Sequence, residues 1–181
     1  MSEYNNGSAP KSYDLIVVGS GFAGTMATLN FLETSSRLGK PNARVALIEA
    51  GRSDERCGAS RWTMAYLRLD KDLAFDTAWK DEMKAVSKGE ADMEYCEKLG
   101  AEAQNTALYV QKKGVKFVHH DEKNVLLEFK TGQHFVFPDG GGRAIIDCLM
   151  GHIRAFKNSD VMWETEALHL LTDKRGAIRG V

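Results

Sequence analysis

Val17-Val18-Gly19-Ser20-Gly21-Phe22-Ala23-Gly24 is the stretch that decides the fold. The apolar run Leu15-Ile16-Val17-Val18 ends on three glycines spaced Gly-x-Gly-x-x-Gly, and a helix-compatible segment with Met26, Ala27, Leu29, Phe31 and Leu32 follows. A dinucleotide site requires this order: buried strand, tight glycine turn, helix N-terminus. Gly19 suits the sharp turn, Gly21 carries no side chain to block a pyrophosphate, and Gly24 lets helix and strand pack closely. The start of the helix then offers N–H groups and the positive end of its dipole to phosphates.

A glycine pattern alone is weak, so the next strand matters. Ala43-Arg44-Val45-Ala46-Leu47-Ile48-Glu49 is a short β-branched run ending on an acid, and Ala50-Gly51 closes it. At the carboxyl end of a second strand, Glu49 is placed to accept hydrogen bonds from an adenosine ribose. The spacing from the glycines exceeds the usual ~20 residues. Residues 34–42 account for this as an extended helix end and loop, with Gly39 as the C-cap signal and Pro41 after it. The alternative, a plain αβ turn with an exposed Glu, leaves the ordered arrival of strand, glycines, helix, strand and acid without a reason. The reading is an adenine dinucleotide site.

Beyond Glu49 the pattern stops being strand-like. Residues 57–68 mix small, hydroxyl and aromatic side chains without periodicity. Helices are expected over 71–87, with Leu73, Trp79, Met83 and Val86 on one face, and over 91–113, with Met93, Cys96, Leu99, Ala103, Ala107 and Val110 at three-to-four spacing. Gly114 caps the second, and 115–118 reads as a strand. A β-hairpin is expected from 124–129 and 133–138 around Lys130-Thr131-Gly132. Gly140-Gly141-Gly142 resembles a phosphate loop, but its place after Pro138-Asp139 favours a turn and helix start. Residues 143–156 form an amphipathic helix, 161–171 a strand, and 173–176 a turn into 177–181. The fold class is therefore α/β, a dinucleotide-binding domain with a helical and β-hairpin insertion.

Bulk properties exclude several classes. The 181 residues carry a formal net charge of −1 and a pI near 6.5, so no basic field points to nucleic acid or an anionic membrane. No run approaches the ~20 apolar residues of a membrane span. The polar first ten residues lack a signal-peptide core, and residues 1–12 read as a disordered tail. Cys57, Cys96 and Cys148 form no disulfide framework or Cys-x-x-Cys motif, and a reducing cytoplasm is the simplest home. The histidines (His119, His120, His134, His152, His169) show no metal-ligand spacing, so no metal is expected.

Tyr13–Gly24, Glu49-Ala50-Gly51, Cys57–Arg68, Thr165–Leu171 and Gly176–Val181 together resemble the fumarate reductase/succinate dehydrogenase flavoprotein superfamily. The likeness is strongest to tricarballylate dehydrogenase-type members. It implies a Rossmann-like FAD-binding domain of which residues 13–181 are the N-terminal part. The final strand and the substrate domain are then expected to lie elsewhere in a longer or split enzyme. Cys57–Arg68 discriminates most within the superfamily. Where relatives commonly have Gly-Gly-Asn before a Ser or Thr, this chain has Cys57-Gly58-Ala59-Ser60, and Ser60-Arg61-Trp62-Thr63 resembles the tricarballylate type. The resemblance implies that Ser60 bonds a phosphate or a flavin nitrogen, and that Thr63 to Tyr66, Ala65 among them, line the isoalloxazine. Arg61 and Arg68 are structural or flavin-contacting, and they are also the nearby candidates for a substrate carboxylate. With no His between Cys57 and Arg68, the implied FAD is non-covalent. Ala167 maps to a backbone contact with adenine, and is equally readable as an ordinary strand-end alanine.

The resemblance implies hydride transfer between a carboxylic-acid substrate (tricarballylate- or fumarate-like) and flavin N5. The Arg and His that hold such substrates belong to later segments of relatives, so the catalytic acid or base is not assigned, and these residues alone are expected to be inactive. An electron-transfer partner or a complementing chain fits the same reading. Two alternatives stay open: a 3-ketosteroid dehydrogenase-like flavoenzyme, and a truncated, non-catalytic FAD-binding module.

Overall fold

The computed structural model describes residues 11–55, 58–69, 72–74, 79–119 and 135–181. The tail before Lys11, Cys57, and the first strand and turn of the expected 124–138 hairpin lie outside the described residues. In chain order the elements begin with β1 (Leu15–Val18), α1 (Phe22–Arg37) and β2 (Val45–Ile48). Next come α2 (Ala59–Trp62), α3 (Trp79–Val86), α4 (Met93–Lys112), β3 (Phe117–His119) and β4 (Val136–Pro138). The chain closes with α5 (Gly141–Arg154), β5 (Ser159–Met162), β6 (Leu171–Thr172) and β7 (Ile178–Gly180). They gather into two compact units, residues 1–56 with 153–181, and residues 57–152.

The first unit is built on a parallel sheet in the order β1-β2-β5, with Leu15 opposite Val45 and Val45 opposite Ser159. β2 lies in the middle and all four of its residues are buried. That is why the strand reads Val-Ala-Leu-Ile without polar alternation: a central parallel strand meets apolar neighbours on both faces. α1 buries Thr25, Thr28, Leu29 and Leu32, a stripe at helical spacing. Leu29 and Leu32 are essentially inaccessible, each contributing about 1.5–3 kcal/mol of burial. The helix stops where the sequence signals it. Gly39 takes φ +75, and the N–H groups of Gly39 and Lys40 donate back to Ser36 O and Ser35 O.

At the amino end of the sheet, Tyr13 donates its hydroxyl to Asp160 Oδ2 at 2.7 Å. Arg44 reaches the same oxygen at 2.9 Å, its guanidinium 4.8 Å above the Tyr13 ring. The Tyr13 hydroxyl and the Arg44 charge hold the Asp160 carboxyl below the usual carboxylate range. Burial, then the bond to Asp160, pushes the Tyr13 phenol up.

One expectation is corrected here. The strand expected over 161–171 is only β5, Ser159–Met162, followed by irregular backbone to Leu170. Glu164 has φ +52, which turns the chain out of the ladder. The N–H groups of Glu164 and Thr165 then donate to Gly51 O and Glu49 O at 3.2 and 3.0 Å. The β6–β7 hairpin turns at Gly176, φ +79, as expected, with Asp173 Oδ1 accepting from the N–H groups of Arg175 and Ala177.

In the second unit, Asp92 caps α4 by accepting from Tyr95 N–H at 3.0 Å, and Gly114 at φ +109 follows its end. A small core joins Leu69, Leu73, Ala107 and Val136, with Ala103 and Phe117 packed against it. The helix expected over 71–87 is, in the described residues, α3 alone. Leu73 takes φ +60 and so is not helical, yet it is buried in this core. β4 pairs antiparallel with β3, and Leu67 bridges Val136. α5 carries the buried stripe Ile146, Leu149, Met150 and Ile153.

Candidate functional site

In the first unit, the glycine turn links β1 to α1 at the carboxyl end of the sheet. Gly19 adopts φ +95, a conformation that L side chains rarely take, and among the described residues no atom lies within 4 Å of where its Cβ would stand. Gly24 is different. A Cβ there would sit 1.8 Å from Gly19 O and 3.4 Å from Val17 Cγ1, so the turn and the strand close directly onto the helix backbone. Gly21 is the N-cap at φ −70. Gly21, the N-cap, has no side chain to cap α1, and the first turn holds no acidic residue, so the helix dipole favours an anion there. Thr25 Oγ1 donates to Gly21 O at 2.8 Å and stiffens that turn.

Ser20 and Glu49 meet at the ends of β1 and β2. Glu49 Oε2 accepts from Ser20 N–H at 2.8 Å and from Ser20 Oγ–H at 2.6 Å, and Oε1 accepts from Gly51 N–H at 2.9 Å. Both residues are buried, at 2% and 9% exposure. Burial of a carboxylate needs such donors, and charge-assisted bonds are the strong kind. Sequence reasoning named Ser20 only as a member of the glycine motif and missed this tie. The available signal was adjacency: with Val18 opposite Ile48 in parallel register, Gly19 lies across from Glu49 and Ser20 one residue beyond it.

The bonds from Glu164 and Thr165 bring the segment containing Ala167 beside Glu49 and Gly51. Ala167 also lines a cavity of about 470 Å³ with Ile16, Ala46, Ile48 and Met162. Phe22, Ala23 and Ala50 stand in the first helical turn and just after Glu49.

Ser60, Arg61, Thr63 and Ala65 belong to the second unit. Ser60 and Arg61 lie in α2, whose end is closed by Thr63 N–H donating to Ala59 O. The Arg61 guanidinium stacks 4.8 Å above the exposed Trp62 ring. Thr63 Oγ1 accepts from Ala65 N–H at 3.0 Å, and Ala65 sits at φ +54. Arg68 is engaged by Glu82 at 2.7 Å. Among the described residues no cluster of His, Cys, Asp or Glu could hold a metal ion, and no helix is long and apolar enough to cross a membrane.

The donor set fits an adenine dinucleotide: a helix start without an acidic residue, a glycine turn and a fixed acid at the second strand's end. The comparisons agree. Residues 14–181 match the FAD binding domain family, and the chain belongs to that family. It is the FAD-binding module of a flavoprotein, and its cofactor is FAD.

Three solved structures show the same fold. The 3-ketosteroid-Δ4-(5α)-dehydrogenase from Rhodococcus jostii RHA1 is 18% identical, with a TM-score of 0.68 over 95% of this chain and 42% of that one. E. coli quinol fumarate reductase FrdA is 16% identical, with a TM-score of 0.71 over 92% of this chain and 28% of that one. The Mycobacterium smegmatis Sdh1 complex is 19% identical, with a TM-score of 0.70 over 92% of this chain and 30% of that one. The chain thus spans less than half the length of each of these three structures. No curated protein matches it.

Proposed function

We propose that this chain binds FAD non-covalently and forms the cofactor-holding part of a cytoplasmic oxidoreductase acting on a carboxylic acid of the tricarballylate or fumarate kind. The observation that carries the reading is the Glu49 carboxylate, fixed by Ser20 and Gly51 beside the glycine turn that opens α1. Gly19, Ser20, Gly21, Phe22, Ala23 and Gly24 would hold the pyrophosphate, with Glu49, Ala50 and Gly51 at the ribose and Ala167 at the adenine. Ser60, Arg61, Thr63 and Ala65 would meet the flavin end. FAD, when bound, supplies hydride exchange at N5 with a substrate carbon.

The chain's own contributions are orientation and charge. The helix start offsets the phosphate charge. Glu49 accepts ribose hydroxyls, and the hydroxyls of Ser60 and Thr63 can donate to the cofactor. The substrate class is supported by the likeness of Ser60-Arg61-Trp62-Thr63 to tricarballylate dehydrogenase-type proteins. Substrate-holding groups and the electron acceptor are assigned to other segments or to a partner chain.

The test is a visible absorbance spectrum of the purified chain with and without added FAD, followed by heat release. Flavin bands that return as free FAD in the supernatant are the expected result. A protein that stays colourless at saturating FAD overturns the proposal.

A further inference from the structure

Two of the three glycines at 140–142 close on Thr63. Gly142 N–H donates to Thr63 O at 2.8 Å. Gly141, at φ +67, brings its backbone so close that a Cβ there would stand 3.0 Å from Thr63 O and 3.8 Å from Met64 Cα. Every backbone polar group of Thr63 is therefore in use, since its N–H closes α2 on Ala59 O while its carbonyl takes the Gly142 bond. Its hydroxyl oxygen accepts from Ala65 N–H, and Ala65 holds the left-handed φ of +54 that an alanine adopts only when its surroundings impose it. Thr63 itself is exposed.

We infer that Gly141 and Gly142 are positioning residues for the flavin: by clamping the Thr63 carbonyl they set the Thr63–Ala65 backbone against which the isoalloxazine is held. This rests on the assignment of Thr63 and Ala65 to the flavin end proposed above. The glycines act through Thr63 and touch no cofactor themselves. A residue with a Cβ at 141 pushes the carbonyl away, and the loop with it.

Gly140 provides the matched control. It also has a positive φ, +89, but a Cβ there meets only Ala144 Cβ at 3.3 Å. Gly140→Ala and Gly141→Ala therefore share the backbone strain, while only the second disturbs Thr63. The experiment is FAD titration of the full chain and both variants, read by dissociation constant and by circular dichroism in the flavin bands. Gly140→Ala is expected to keep the parent's flavin spectrum. Gly141→Ala is expected to alter the band shape and raise the dissociation constant about tenfold, the equivalent of one lost hydrogen bond.

If the two variants give the same flavin spectrum and affinity, the clamp does not act on the cofactor and the inference falls alone. A parent chain that binds no FAD overturns the inference together with the reading beneath it. Amide hydrogen exchange on the parent covers the case in which Gly141→Ala does not fold. Added FAD should slow exchange at Gly142 and Ala65 together, and no change at either amide overturns the inference.

Discussion

Glu49 and Ser20, separated by 29 positions in the chain, share two hydrogen bonds to one carboxylate oxygen, from the serine N–H at 2.8 Å and its hydroxyl at 2.6 Å. Both bonds are charge-assisted and buried, so each is worth more than a neutral one, about 1.5–3 kcal/mol. Glu49→Gln keeps the shape and removes the charge. It should weaken FAD binding at least about tenfold and lower the melting temperature of the FAD-free chain. Ser20→Ala keeps the N–H and should cost less on both counts. Titration calorimetry with FAD and a thermal melt check this, and unchanged affinity in Glu49→Gln would remove Glu49 from the site.

Gly24→Ala tests the close approach of turn and helix. Its Cβ would lie 1.8 Å from Gly19 O, a backbone atom that cannot rotate away. A destabilisation at or above about 3 kcal/mol is expected, the upper end of overpacking costs, with loss of FAD binding. Gly19→Ala meets no atom and suffers only its φ of +95, so it should cost about 1–2 kcal/mol. Chemical denaturation of both variants should rank them in that order.

Thr28 offers the opposite sign. It is fully buried on α1 and its hydroxyl oxygen has no hydrogen-bond partner among the described residues. Thr28→Val keeps the branched shape and removes an unsatisfied polar atom. A gain of about 1 kcal/mol is expected, with FAD affinity unchanged. A loss of stability in urea would show that the hydroxyl is satisfied in solution.

The Tyr13–Asp160–Arg44 cluster sets a pH dependence. Asp160 titrates below its ordinary value because the Tyr13 hydroxyl, and then Arg44, favour its charged form. A depressed carboxyl stabilises the fold above the ordinary aspartate range near ~3.9 and loses that contribution as pH falls through the lower folded value. With Arg44 and Asp160 side chains 46% and 38% exposed, solvent screening limits the effect to under about 1 kcal/mol. Tyr13 behaves conversely. Its raised phenol adds stability below its ordinary value near ~10 that is lost at higher pH. Asp160→Asn should therefore flatten the acid limb of stability below the ordinary aspartate range, and Tyr13→Phe should also flatten the alkaline limb. Denaturant melts across pH measure both.

Much of the local structure was legible in the residues. The end of β1 at Val18, the turn at Gly19, the stop of α1 at Gly39, the close of α4 at Gly114 and the hairpin turn at Gly176 are all where short-range chemistry places them. Each is decided by φ preference, capping or periodicity within a few neighbours. The irregular run from Trp163 to Leu170 was not legible. Its alternating apolar residues read as a strand, but Glu164 and Thr165 found carbonyls at Gly51 and Glu49. The absence of helix at Leu73 has the same origin, since burial in a core with Ala107 and Val136 outweighed its place in an apparent helical stripe.

The sequence by itself determined that a strand, a glycine turn and a helix would follow one another, with an acid at the end of the next strand. Those features depend on side-chain size and backbone freedom at each position, which are local properties. Only the tertiary structure decided that Glu49 would be held by Ser20, and that Gly141 and Gly142 would close on Thr63. Hydrogen bonds act over about 3 Å, so which distant donor meets which acceptor depends on how parallel strands register and helices pack.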